Sequence, residues 1–334
     1  MTATRELLKS FFTRGCFLFL DKAEGFSSHG ALYPLRRLVE SLCIPIKLKI
    51  GHSGTLDPLA SGVLLVAIGR ATKLLEYCHS FRKSYDCTVE WQKEMDTDDA
   101  TGKVIRFCEQ IPSDREILEI LPSFKGVVSQ IPPDFSAVRV DGVRLYQKAR
   151  NGEKIIKKPR LVQCYDIKYE GAITQTKSKF KVECGSGYYI RSFAREIARK
   201  LNTYGNIHTL RRTGIGVFNA NDTISQKFIH ELWRNMKNTA LDEELIEYGL
   251  RLLYERLIPA HTLFNHFSHY MYEGNSDISH LDCTNIRSIY HPPATISPLV
   301  GDYTEKAILF SNQNELIAIL NVIGGNFKVE KFLS

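Results

Sequence analysis

Residues 51–69 read GHSGTLDPLASGVLLVAIG, and the rest of the chain is best understood outward from them. Gly51 and Gly54 make a permissive loop, where positive φ or a close backbone approach costs little. Asp57 precedes Pro58, which biases the aspartate away from the helical region and stiffens the turn. The apolar run Val63–Ile68 follows and predicts a buried strand over Gly62–Ile68. One carboxylate thus stands on a stiff loop at the mouth of a buried sheet. Read locally, Asp57 is either a turn acid satisfied by nearby N–H groups or a reactive group. No Gly-Lys-Ser/Thr follows, so the loop is not a P-loop, and the G-x-S-x-G of a serine-nucleophile elbow is absent.

Upstream, Cys16–Asp21 reads as a short apolar strand. Ser28–Leu42 has helical spacing, with Leu32, Leu35, Leu38, Val39 and Leu42 on one face and Ser28 as N-cap. Downstream, Ala71–Tyr77 reads as a short helix and Lys83–Trp91 as a strand with rough apolar/polar alternation. Arg115–Leu121 begins a helix and Arg144–Arg150 reads as another. Leu161–Tyr169 and Lys179–Cys184 read as strands, and Ile190–Leu201 as an amphipathic, arginine-rich helix. The interleaving lacks a regular βαβ rhythm, which favours an α+β or mixed α/β fold over a doubly wound parallel sheet. After Ile224 the chain turns helical and acidic. Beyond the polar stretch Asn275–Pro293 it becomes strand-like at Ala307–Phe310, Leu316–Asn321 and Phe327–Val329, with turns at Ser311–Asn314 and Gly324–Gly325. This predicts a small β module over residues 255–334, after a helical connector at about 226–254.

The chain has 334 residues, 43% hydrophobic and 24% charged, which are globular values that exclude wholesale disorder or a fibrous rod. No apolar run approaches the ~18 residues of a membrane helix, and the first residues lack the features of a secretory signal. Eight cysteines form no C-x-x-C pair and no zinc-ligand spacing, so they read as reduced thiols of a cytoplasmic protein. The net charge of +7 is unevenly spread: residues 1–226 carry +11 and residues 227–334 carry −4. That asymmetry suggests either a polyanion partner for the first portion or a solubility bias.

The wording H-x-G-T-L-D-P-x-A-x-G-V-L resembles the catalytic loop of the TruB family of tRNA pseudouridine synthases. Further matches follow in order over about residues 15–225: Leu20-Asp21-Lys22 with Gly25 and Ser27-Ser28; Lys83-Ser84-Tyr85; Asp96-Thr97 with Asp99 and Gly102; Gln130-Ile131-Pro132-Pro133 through Ala149-Arg150; Cys184-Gly185-Ser186-Gly187 with Tyr189-Ile190-Arg191-Ser192; and Leu210-Arg211-Arg212. Four positions depart from the family pattern: Ala23 for Pro, Gln92 for Gly, Met95 for Thr and Tyr188 for Thr.

The resemblance implies a catalytic domain (1–254) with a central mixed sheet and an RNA-gripping thumb at about 125–160, and a PUA-like module (255–334). It implies base flipping of uridine 55 in the tRNA T loop, without guide RNA and by a monomer. Asp57 would be the essential nucleophile or base, and Arg191 would hold it charged. Tyr85 would stack on the uracil, and Tyr189 and Leu210 would complete the pocket. His52 would touch the T loop, and Lys22 would brace the catalytic loop or touch the RNA backbone. No cofactor, metal, membrane or obligatory protein partner is implied. The basic stretch Arg139–Arg160, with few aromatics, suits phosphate tracking. Two rival expectations are an RNA-binding module without catalysis and a guide-dependent catalytic subunit. The intact Asp57, Tyr85 and Arg191 oppose the first, and the absence of long basic tails opposes the second.

Overall fold

The computed structural model describes residues 3–44, 47–136, 139–140, 143–144, 157–238, 242–263, 268–272, 286–290, 306–311, 316–323 and 326–332. The chain divides into two compact units. One comprises Met1–Leu56, Val63–Ser80 and Ala220–Ser334, the other Asp57–Gly62 and Phe81–Asn219.

The unit that contains Asp57 is built on a mixed sheet, as expected. Strand Lys83–Trp91 lies between two antiparallel neighbours, Lys177–Cys184 and Gly205–Ile215. The sheet continues from Lys177–Cys184 to Arg160–Thr174 and then to Gly126–Gln130, both antiparallel. At the other side Gly205–Ile215 pairs in parallel with Ser61 and Gly62. The period-two pattern assigns the faces: Tyr85, Cys87, Val89 and Trp91 are buried, whereas Ser84, Asp86 and Glu90 are half-buried on the other side. Helix Ile190–Lys200 buries Phe193, Ala194, Ile197 and Ala198 completely. Phe193 meets Phe124 and Phe180 edge-on, and Phe180 meets Trp91. Each such aromatic contributes about 1.5–3 kcal/mol by burial, and Trp91 keeps its indole N–H satisfied by Ser178 Oγ at 2.9 Å. This apolar packing sets the height of the helix, and so of Arg191 in its first turn.

In the other unit the apolar strand Cys16–Lys22 pairs in parallel with Ile224–Ser225 and antiparallel with Ile258–Pro259. Strand Ile50–Ser53 pairs with Leu65–Ile68. Three local expectations are corrected here. Ser28–Leu42 is not one helix but two, Ser28–Ala31 and Tyr33–Ser41, because Pro34 lacks the N–H that would continue the ladder. The cap is Ser27, which accepts from Gly30 N at 3.0 Å, and Ser28 is buried for another purpose. Ala71–Tyr77 is replaced by the tighter 3₁₀ turns Gly69–Leu74 and Tyr77–Ser80. The acidic region forms helices Gln226–Met236 and Glu243–Glu255.

A five-stranded sheet closes the chain, in the order Ile286–Tyr290, Ser268–Tyr272, Lys306–Ser311, Leu316–Ile323, Asn326–Phe332. Strand Ile286–Tyr290 falls inside the stretch read as polar, and Ser311 ends a strand rather than opening a turn. Ala307, Leu309, Ala318, Ile319 and Leu320 are fully buried. The turn residues 312–314 and 324–325 lie outside the described residues. So does most of the expected helix Arg144–Arg150, whose first residue belongs to strand Val143–Arg144.

Candidate active site

Asp57 enters the site from a clamped backbone. Ser28 Oγ accepts the Leu56 N–H at 2.7 Å and donates to the Leu56 carbonyl at 2.9 Å, so both polar groups of the preceding residue are held by one buried hydroxyl. Beyond Asp57, a turn closes by a 3.1 Å bond from Ala60 N to the Asp57 carbonyl. The next constraint is Gly62, with φ of +104°. A Cβ there would lie 2.2 Å from the Arg212 carbonyl oxygen, so only glycine lets the loop rejoin the sheet.

Arg191 Nη2 meets Asp57 Oδ2 at 2.8 Å, and the guanidinium is 4% exposed while the carboxylate is 36% exposed. The same guanidinium donates to the carbonyls of Thr97 and Phe135, each at 2.9 Å. Asp99 Oδ2 lies 3.8 Å from Nη1. The other oxygen of Asp99 is fixed by Thr97 Oγ1, Thr101 N and Thr101 Oγ1 at 2.8, 3.0 and 2.6 Å. Arg191 stands in the first helical turn, where the macrodipole opposes a cation and favours anions. The two aspartates supply that negative charge. Asp57 is therefore an oriented carboxylate whose side chain is partly exposed, within reach of a group that enters from solvent.

Tyr85 and Arg212 are register partners on adjacent strands, and Leu210 lies two residues from Arg212 on the same face. Burial pushes the Tyr85 phenol up, and the charge and hydrogen bond of Arg212 pull it back. The Tyr189 phenol is also pushed up, mainly by burial. The Asp57 charge adds to the rise at both tyrosines. Tyr189 is held through its backbone, which exchanges bonds of 3.0 and 3.2 Å with the Gln130 side chain. Asp57, Tyr85, Tyr189, Arg191 and Leu210 are thus parts of one unit.

Lys22 and His52 belong to the other unit. Lys22 is fully buried and donates to the carbonyls of Ala23 and Phe26 at 3.0 and 2.6 Å, bracing its own turn. His52 is half-buried on strand Ile50–Ser53, opposite Val66. The four departures are accommodated. Ala23 uses the N–H a proline would lack, donating to Gln226 Oε1 at 3.1 Å. Gln92 adopts φ of +76°, and its side chain is tied to the Glu109 carbonyl at 3.0 Å. Met95 and Tyr188 are buried. Asp99 and Arg212 occur in the quoted motifs, yet neither is an expected site residue. Asp98 and Arg195, which form a buried ion pair beside the site, have only the arginine spacing of the helix as a sequence signal. Among the described residues no cluster of His, Cys, Asp and Glu could hold a metal ion, and no helix is long and apolar enough to cross a membrane.

Comparison with known proteins agrees with this geometry. The family described as TruB family pseudouridylate synthase (N terminal domain) matches residues 43–190. The tRNA pseudouridine synthase B of Bartonella henselae is 33% identical over 325 residues, 95% of each chain. That of Sinorhizobium medicae is 38% identical over 237 residues, 70% of this chain and 74% of its own length. The Bradyrhizobium diazoefficiens protein of the same name is 42% identical over 208 residues, and the match spans 59% of that relative's length and 62% of this chain. In fold, the chain resembles one solved in an archaeal box H/ACA sRNP Nop10–Cbf5 complex, with a TM-score of 0.64, 20% identity and coverage of 98% of this chain and 88% of that one. The protein is a pseudouridine synthase, an isomerase that converts uridine to pseudouridine. Within that class, the chain belongs to the TruB family.

Proposed function

We propose that this chain converts uridine 55 in the T loop of tRNA to pseudouridine, acting as a monomer in the cytoplasm and without guide RNA. The observation that carries the reading is the 2.8 Å pair between a buried Arg191 and a partly exposed Asp57. The relatives named above as tRNA pseudouridine synthase B support tRNA as the substrate. The reaction breaks a C–N glycosidic bond, turns the base and closes a C–C bond. No electrons leave or enter, so the protein need supply only binding, orientation and proton transfer. The target base must leave its stack to reach the carboxylate. Asp57 then acts on the flipped nucleotide as nucleophile or base, oriented by its ion pair with Arg191. Tyr85 stacks on the uracil, a contact of about 1–3 kcal/mol, and Tyr189 and Leu210 line the pocket. His52 meets the T loop, and Lys22 braces the segment before the catalytic loop. The layout we assign is a catalytic domain over 1–254, with its thumb at about 125–160, and a PUA-like module over 255–334.

Asp57→Asn tests the core of the reading. Pseudouridine formation should vanish while tRNA binding persists, and a variant that still modifies tRNA refutes the role of Asp57. Purified protein should act on a bare T-arm stem-loop, and a requirement for a second RNA or protein refutes guide-free action.

A further inference from the structure

One face of helix Ile190–Lys200 carries arginines at 191, 195 and 199, spaced four residues apart, and each meets a carboxylate of the segment 94–99. Arg191 faces Asp99 at 3.8 Å, Arg195 pairs with Asp98, and Arg199 holds Glu94 at 2.6 Å. The spacing is that of one helical stripe, so the ladder follows from the sequence R-x-x-x-R-x-x-x-R once the acidic turn lies alongside.

Two of the three rungs reach a second segment as well. Arg191 donates to the Phe135 carbonyl at 2.9 Å, and Arg195 donates to the Ile131 carbonyl at 2.7 Å. Ile131 is gripped further: Ser192 Oγ donates to its carbonyl at 2.8 Å, and its N–H donates to Glu196 Oε1 at 3.3 Å. Residues 131–135 directly follow strand Gly126–Gln130. Arg195 is therefore a bridge between the acidic turn and this segment, one helical turn behind the bridge that Arg191 makes itself.

We propose that Arg195 is a positioning residue: by tying Asp98 to the backbone of Ile131, it fixes both segments that share the Arg191 guanidinium and so sets how Arg191 holds Asp57. Asp98 and Arg195 are both buried, at 6% exposure each. Such pairs add little net stability, because desolvation offsets the attraction, and replacing both charges by apolar or neutral groups is often tolerated. Desolvation indeed outweighs the charges at Asp98. Arg195, Arg191 and Lys157 draw its carboxyl down and Glu94 opposes them, yet burial leaves it at about 6. What such a pair does impose is geometry. Misplacement of a reacting group by about 1 Å costs on the order of 100-fold in rate, and Arg191 has two carbonyls through which such a shift would reach it.

The role in the reaction rests on the proposed activity, so the test has two readouts on the full chain. In the first, Arg195→Met is compared with wild type in single-turnover conversion of a T-arm stem-loop. The rate should fall about 30- to 100-fold, with the RNA dissociation constant unchanged within about threefold. Arg199→Met removes the same charge from the same stripe without the bridge and should stay within about twofold of wild type. Arg195→Lys keeps the charge but not the planar fork, and should remain slow. The double variant Asp98→Asn/Arg195→Met, which removes both charges of the buried pair, should be as slow as Arg195→Met alone. Full activity in either of the last two would overturn the bridge. The second readout is hydrogen exchange, which does not depend on turnover. Arg195→Met should speed exchange in residues 94–99 and 130–135 together, whereas Arg199→Met should affect only the first. Loosening of one segment alone in Arg195→Met refutes the proposal. Wild-type protein inert on the stem-loop refutes the functional reading instead, and the exchange result then decides the bridge.

Discussion

Adding one methyl group at Gly62 should damage stability and catalysis together. The backbone there has φ of +104°, a conformation that side chains rarely adopt, and holding a non-glycine residue in it costs about 1–3 kcal/mol. The new Cβ would also lie 2.2 Å from the Arg212 carbonyl oxygen and 3.0 Å from the Arg212 carbonyl carbon and nitrogen. That backbone cannot retreat freely, because its strand is laddered to Lys83–Trp91 on its other side. Overpacking against such a neighbour adds about 1–3 kcal/mol, so Gly62→Ala should lose roughly 2–6 kcal/mol. Gly171 is the internal control. Its φ of +105° is nearly the same, but an added Cβ meets nothing within 4 Å. Gly171→Ala should therefore show the backbone cost alone, and the difference between the two variants isolates the close approach. Urea unfolding of both measures it. Gly62→Ala should also slow the chemical step, since Arg212 is the register partner of Tyr85. Equal stability of the two alanine variants, or an unimpaired rate in Gly62→Ala, would refute the argument.

Two further outcomes follow from the same geometry. Ser28→Ala should lose about 1–3 kcal/mol, because the Leu56 N–H and carbonyl both lose their buried partner, and the rate should fall without a change in RNA affinity; thermal unfolding and single-turnover kinetics check it. Asp98, held at about 6 by burial, should impose an acid limb on the reaction. As pH falls through about 6 the carboxyl takes a proton and its bond to Arg195 loses charge assistance, so the rate should drop, and Asp98→Asn should be slow but flat over the same range. Stability runs the other way. The folded chain holds this proton more tightly than the unfolded chain, so the group's contribution is full below about 4 and is lost as pH rises through about 6.

Much of the sheet was legible because strand patterns are local. The alternation at Lys83–Trp91 and the apolar run at Val63–Ile68 each announce one buried face or two. The site was legible only through wording, since nothing local to Asp57 or Arg191 says that they meet. Where local rules competed, they misled. Ser27 and Ser28 are equally good caps by type, and the choice fell to tertiary structure, which needed the Ser28 hydroxyl against Leu56. The Arg-rich helix also read as amphipathic by its apolar stripe, which is correct for Phe193 and Ile197. Its charged stripe was not readable as buried, because charges are usually solvated and the neutralising acids come from a distant turn. Gln92 shows the opposite limit: the family's glycine announces positive φ, and the backbone keeps that conformation without it.

The arginine stripe also has an electrostatic consequence. Around it, three guanidinium groups face four carboxylates, Asp57, Glu94, Asp98 and Asp99. With the buried Arg212 beside Tyr85, the proposed site sets four guanidinium groups against four carboxylates, so it carries none of the basic surplus of the chain's first portion. A balanced site has no net charge with which to draw in a phosphate, and a neutral uracil needs none. The basic surplus must act from the surrounding surface, where counterions can be displaced. On the proposed activity, the backbone of the RNA is left to that outer surface and the site to the base.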